Sequence, residues 1–178
     1  MAIIKAVNSK SSIARAINYI TKAEKTEKKL ISGIDCNPET AIDEMKATKE
    51  LYDKNDGRQY AHFIQSFNPK DNISPEKAHE IGKEFIEKND KFKGHEIVLA
   101  THKDKDHIHN HFIINSVNYE NGSKLHTTKH EYQEMKDISN ELSKEHNLTV
   151  PEKSKEKGKI TKIGRAHVWT PVTATDLV

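Results

Sequence analysis

Cysteine is almost absent from this chain of 178 residues: Cys36 stands alone, which excludes an internal disulfide framework and any cysteine-based zinc ribbon. A single thiol of this kind reads as a small, semi-buried apolar residue. Apolar residues are also scarce, 34% of the chain against 31% charged, and the mean hydropathy is −0.85. No apolar run approaches the roughly 18 residues of a membrane span, so membrane insertion is not expected. The opening MAIIKAVNSK lacks the charged start, long apolar stretch and small-residue cleavage site of a secretory signal, which makes the cytoplasm the expected location. Three motifs are missing as well: GxxxxGK[ST], HExxH and HxHxDH. Their absence removes P-loop nucleotide chemistry, ordinary zinc proteolysis and the metallo-β-lactamase-like hydrolases.

The length suits one domain with a real core. A formal net charge of +2 says little until it is divided along the chain. Residues 1–30 carry seven Lys/Arg against two Glu, or +5; residues 31–100 carry ten against fourteen, or −4; the remainder carries twelve against eleven, or +1. A basic N-terminal segment in a near-neutral chain points to local attraction for phosphate. Taken alone, these charges are better accounted for by a solvated helix face.

The periodicities give an element order of β-α-α-β-α-β-β-α. Ala2 to Val7 suits a short strand, and Ser11 and Ser12 offer N-caps for a helix that places Ile13, Ala16, Ile17 and Ile20 on one stripe. Tyr19 falls about 60° beyond Ala16 at about 100° per residue, at the stripe's edge, where it can face a cleft. A lysine-rich connection, Lys22 to Lys29, runs through Ser32-Gly33 to a second helix after Pro38, with Ile42, Met45 and Tyr52 inward. Beyond the Asn55-Asp56-Gly57 turn, Gln59 to Asn68 alternates as a strand. Ala61, Phe63, Gln65 and Phe67 take its core face, and Tyr60, His62, Ile64 and Ser66 the other. Ser74-Pro75 starts a third helix. His95 to His102 and His107 to Asn118 then form a β-hairpin around a charged turn, and residues 129–147 form the last helix. The expected class is α+β, with a mainly antiparallel central sheet flanked by helices.

Residues 1–150 are expected to make up this domain. Residues 152–162 are almost all Lys, Glu, Ser and Gly, so 151–162 reads as a charged, disordered linker. Residues 163–178, IGRAHVWTPVTATDLV, contain the single Trp and closely resemble a translated sequencing adapter in which an opal stop codon is read as Trp. They are set aside as an expected artefact, and the natural protein is expected to continue differently from that point.

Four of the eleven histidines, His102, His107, His109 and His111, lie within ten residues. Positions 109 and 111 point to one face of a strand, as two ligands of one ion require. If His102 is opposite His109, all three rings converge and the turn is 103–108; if it is opposite His107, His111 lies out of reach. The spacing favours His102, His109 and His111, with His107 near the turn. Clustered imidazoles beside apolar residues call for a shared positive partner. Three neutral nitrogens leave a divalent ion its full charge and an open position, so it can hold an anionic oxygen, with phosphate the obvious group.

At these residues the chain resembles a known family. Across about residues 1–150, SIARAINYI, HFIQSFNP and HKDKDHIHNHFIINSVN, in this order, are similar to the relaxase/mobilization nucleases, HUH endonucleases of the MOBP type, above all the MobA-type relaxases of staphylococcal and related Gram-positive mobilizable plasmids. The last block is specific; the first two are informative by their order. The resemblance implies an HUH-endonuclease-like fold and a metal-dependent, site- and strand-specific endonuclease that nicks a plasmid transfer origin and stays attached to the 5′ phosphate through a tyrosine. It implies Tyr19 as that nucleophile and His102, His109 and His111 as metal ligands. The implied partners are single-stranded or supercoiled plasmid DNA at the origin, accessory mobilization proteins and a coupling protein. One departure is Asn110, where the commonest HUH form has a bulky hydrophobe between the paired histidines; the residue points to the opposite face.

The chemistry fits the residues independently. A phenol with a pKa near 10 needs help to attack phosphorus, and an ion supplies it by neutralising the non-bridging oxygens. Arg15 and Lys22 are candidates to assist. A tyrosyl-phosphate ester stores the energy of the cleaved bond, so a 3′ hydroxyl can reverse the step without a nucleotide cofactor. Three histidines suit Mn, Zn, Ni or Co, whereas phosphoryl chemistry usually uses Mg or Mn. His62 either orients a ligand, contacts DNA or is structural, and Ser66 shares its face. Asn115 is in register with His109 and His111 as a candidate phosphate or ligand contact. Asp104 and Asp106 read as turn residues, with Asp106 also a candidate partner of a metal histidine. The competing readings are a rolling-circle replication initiator, in which the tyrosine usually follows the histidines, and a non-catalytic DNA- or metal-binding module.

Overall fold

A computed structural model describes residues 3–7, 11–104 and 107–150; the expected linker and terminal segment lie outside the described residues, as does Asp106. Five strands form one sheet: β1 (Ile3–Val7), β2 (Ile31–Ile34), β3 (Tyr60–Ser66), β4 (Ile97–His102) and β5 (His109–Asn115). The spatial order is β1-β3-β5-β4-β2, and every pairing is antiparallel. Four helices flank it: α1 (Ile13–Ile20), α2 (Ala41–Leu51), α3 (Pro75–Glu87) and α4 (Lys129–Glu145).

The sheet has a core on each face. On one side Ala61, Phe63, Leu99, Phe112 and Ile114 pack against Ala78, Ile81 and Phe85 of α3 and Met135 and Leu142 of α4. On the other, Tyr60, Val98, Ala100 and Ile113 meet Ile13, Ala16, Ile17 and Ile20 of α1 and Ala41 and Met45 of α2. Burying each of the three α1 isoleucines contributes about 1.5–3 kcal/mol. The hydroxyl of Ser12 accepts the Arg15 N–H at the start of α1, and the Thr21 hydroxyl donates to the Ile17 carbonyl at its end. Thr128 and Glu131 close a reciprocal capping box on α4.

Three expectations change. Ile31–Ile34 is a strand, where the sequence reads as a connection; Ser32-Gly33 lies within an edge strand paired to β4. In α2 the buried side chains are Ala41, Met45 and Lys49, while Ile42 and, one residue past the helix, Tyr52 are half-buried. The Tyr60 face of β3 is also divided along its length: its far half lies under α1 and α2, and its near half carries the histidines. That division sets the site at the end of the sheet where α1 stops.

Candidate active site

His102 and His109 are paired across β4 and β5, and His111 follows one alternation later on the same face. This is the register in which all three rings converge. Their centroids lie 5.2 Å (His102–His109), 4.2 Å (His102–His111) and 5.0 Å (His109–His111) apart, and ligand nitrogens of the three lie within 4.8 Å of one another. All three are buried.

The second nitrogen of each ring is engaged. His102 Nε2–H donates to the Ile20 carbonyl at 2.8 Å, so the last turn of α1 orients it. His109 Nδ1–H donates to the His107 carbonyl at 3.1 Å. A carbonyl only accepts, so these bonds set the tautomers and direct His102 Nδ1 and His109 Nε2 to other partners. His111 Nδ1 lies 2.9 Å from His62 Nε2. Burial, with His102 nearby, pushes the His62 pKa down to about 4, which keeps that ring neutral. Three converging imidazoles, each steered by an outer partner, are the donor set a divalent ion needs, and the residues fit such an ion.

Tyr19 completes the cluster from α1. Its ring centroid is 6.3 Å from those of both His102 and His111, and it is 44% exposed beside buried histidines. The Lys25 ammonium lies over this ring, 5.0 Å from the centroid, and donates to Asp104 Oδ2 at 2.9 Å. Asp104 Oδ1 stands 3.9 Å from His102 Nδ1. The hydrogen bond to Asp104 raises the Lys25 pKa, and the same bond lowers that of Asp104.

The opposite face of the hairpin carries a buried polar chain. Ser32 donates to His79 Nε2 (2.8 Å), His79 Nδ1–H to Thr101 (2.8 Å), Thr101 to Asn110 Oδ1 (2.7 Å), Asn110 to Gln65 Oε1 (3.0 Å) and Gln65 to Ser139 (3.1 Å). Asn110 also donates to the Ala78 carbonyl at 2.7 Å. A fully buried asparagine is thus satisfied, and every bond in the series points the same way, an arrangement in which hydrogen bonds reinforce one another. The chain ties β2, α3, β4, β5, β3 and α4 together directly behind the histidines.

Residues 19–148 match the family described as "Relaxase: MobA/VirD2-like, nuclease domain". The chain belongs to this relaxase family. It is similar to two Staphylococcus aureus proteins named Protein rlx, 37% identical over 146 residues (82% of this chain, 42% of the relative) and 38% over 169 residues (95% and 51%). It is also similar to the group II intron-interrupted relaxase LtrB of Lactococcus lactis, 41% identical over 105 residues (58% and 18%). The chain spans about half or less of the length of these relatives. Among solved structures it shares its fold with the MobM relaxase domain, a manganese-bound complex with oriT DNA, at a TM-score of 0.56 over 94% of this chain and 95% of that one, with 13% identity.

Within this relaxase domain the structure brings together Tyr19, His102, His109, His111 and His62. Ser66 pairs with His109 on β3 and is half-buried at the edge of the cluster. His107 contributes its carbonyl, and its ring centroid is 5.3 Å from that of His109. Asn115 is not part of the site. It shares the strand face, but α2 covers that half of the sheet, and its amide donates to Glu96 at 2.7 Å and to the Met45 carbonyl at 3.2 Å. Lys22 is exposed and pairs with Glu24 at 3.5 Å, and Arg15 is exposed one turn before Tyr19. The cation over the tyrosine is Lys25, which the sequence offers only as one lysine among several. Asp104, read as a turn residue, holds it there.

Proposed function

We propose that this domain nicks one strand of plasmid DNA at a transfer origin, with Tyr19 as the nucleophile and a divalent ion held by His102, His109 and His111. The observation that carries the reading is the exposed Tyr19 ring at 6.3 Å from two rings of a buried three-histidine cluster. An ion bound there supplies Lewis-acid charge to the phosphate. Manganese or magnesium is the proposed working ion, with zinc, nickel and cobalt compatible with three imidazoles.

Tyr19 Oη forms a bond to phosphorus while the bond from phosphorus to the 3′ oxygen breaks. The phenolic proton is transferred in balance to that oxygen, leaving a free 3′ hydroxyl and a 5′ phosphate esterified to the protein. Attack by a 3′ hydroxyl runs the same step backwards, so cutting and rejoining need no nucleotide cofactor. His62, Ile20 and His107 keep the three rings aimed, and Arg15 and Lys22, exposed near the nucleophile, are proposed as contacts to the strand. The oriT DNA and manganese of the MobM structure support this choice of substrate and ion.

The whole protein is proposed to act in the cytoplasm with accessory mobilization proteins and a coupling protein. No helix among the described residues is long and apolar enough to cross a membrane. Incubation with a supercoiled plasmid carrying its native mobilization region, with Mn or Mg, is expected to give a relaxed, protein-linked product. Plasmid left supercoiled under both ions would contradict the reading.

A further inference from the structure

Residues 22–29 hold four lysines and two glutamates and read as a solvated connection. Lys25 departs from that character: its side chain is 16% exposed, against 97% for Lys28. The backbone turns back after α1, with Lys25 and Thr26 N–H groups donating to the Lys22 carbonyl at 2.9 and 3.2 Å. The Lys103 N–H then donates to the Lys25 carbonyl at 3.0 Å, which fastens the segment to the connection between β4 and β5. Lys25 Nζ meets Asp104 at 2.9 Å on one side and lies over the Tyr19 ring on the other.

An ordered lysine loses considerable rotamer freedom, so two simultaneous partners mark a defined position. Tyr19 needs such a partner. Its ring projects from the last turn of an eight-residue helix and is 44% exposed, so packing alone leaves its rotamer loosely held. Transesterification demands that its oxygen be held to within a fraction of an ångström. A cation over the face of an aromatic ring supplies a directional attraction, which grows as the ring takes on negative charge.

We propose that Lys25 is the positioning residue for Tyr19: anchored by Asp104, its ammonium holds the phenol ring toward the metal histidines and favours negative charge on the phenolic oxygen in both attack and departure. The inference rests on Tyr19 being the nucleophile. Asp104 lies two residues beyond His102 in sequence, so one short segment sets both the metal site and the nucleophile. Movement of that segment would displace the two together.

The test uses Lys25→Met, Lys25→Arg and Asp104→Asn in three measurements. In DNA-free protein, the Tyr19 ring resonances, assigned by their loss in Tyr19→Phe, are expected to shift in Lys25→Met and return toward wild type in Lys25→Arg. In single-turnover reactions at saturating oligonucleotide, adduct formation by Lys25→Met is expected to slow about tenfold, with oligonucleotide affinity within about twofold, while Lys25→Arg recovers to within about threefold. Asp104→Asn should fall between wild type and Lys25→Met. Unchanged ring resonances with an unchanged rate in Lys25→Met would overturn the proposal. So would a loss confined to oligonucleotide affinity, since Lys25 would then be a phosphate contact. Adduct formation by Tyr19→Phe would instead overturn the nucleophile reading itself, and the DNA-free resonances keep the two failures apart.

Discussion

His102 faces His109 across the β4–β5 hairpin, with ring centroids 5.2 Å apart. Pairing at this position lets His111 join them and makes His107 an outer residue, whose carbonyl accepts from His109 and whose ring lies beside the His109 ring. Alanine at 102, 109 or 111 is therefore expected to weaken Mn binding by more than the roughly 10–100-fold typical of losing an outer partner. His107→Ala keeps the carbonyl and should be mild. Titration calorimetry with Mn, beside thermal melts to confirm folding, checks the order. Metal binding lost in His107→Ala and kept in His102→Ala would contradict the geometry.

Gly82 in α3 leaves room for Asn110. A Cβ at 82 would lie 2.7 Å from Asn110 Nδ2 and 3.1 Å from Leu99 Cδ2. In an ordinary helix interior, Gly→Ala stabilises by about 1 kcal/mol. Here the amide is held by Gln65 and Ala78 and cannot easily yield, so Gly82→Ala is expected to destabilise by about 1–3 kcal/mol. Urea unfolding measures the sign, and a stabilised variant would mean that the polar chain behind the histidines is loose.

His79 is 5% exposed, and burial pushes its pKa from 6.5 down to about 4. The folded state therefore binds this proton more weakly than the unfolded chain. Its contribution is complete above about pH 6.5 and is lost as pH falls toward about 4, a total on the order of 3 kcal/mol. Between pH 7 and pH 5, wild type is expected to lose about 2 kcal/mol more than His79→Gln, which has no proton to gain. Parallel stability profiles for the two proteins would rule out a buried neutral His79.

Much of this arrangement is legible in the sequence because its determinants are local. Alternation of two along 109–111 and a charged turn suffice to converge three histidines, and the apolar stripe of α1 places Tyr19 at its edge. The β2 strand is not legible: four residues containing Ser32-Gly33 look like a turn, and their extended form comes from pairing with β4. Asn115 shows the limit of strand periodicity, which assigns a face but not what covers it. Lys25 is equally hidden, because the reversal after Ile20 that carries it back over Tyr19 is a tertiary event.

Covalency tests the central claim most directly, since a metal-activated water and Tyr19 leave different ends on the DNA. A single-stranded oligonucleotide spanning the nick site, incubated with protein and Mn and run on a denaturing gel, is expected to give one shifted protein-DNA band with wild type and none with Tyr19→Phe. That variant should bind the oligonucleotide with near-normal affinity, because phosphate contacts from basic residues dominate binding. A covalent band that persists in Tyr19→Phe, or nicking by wild type without any such band, would contradict the account.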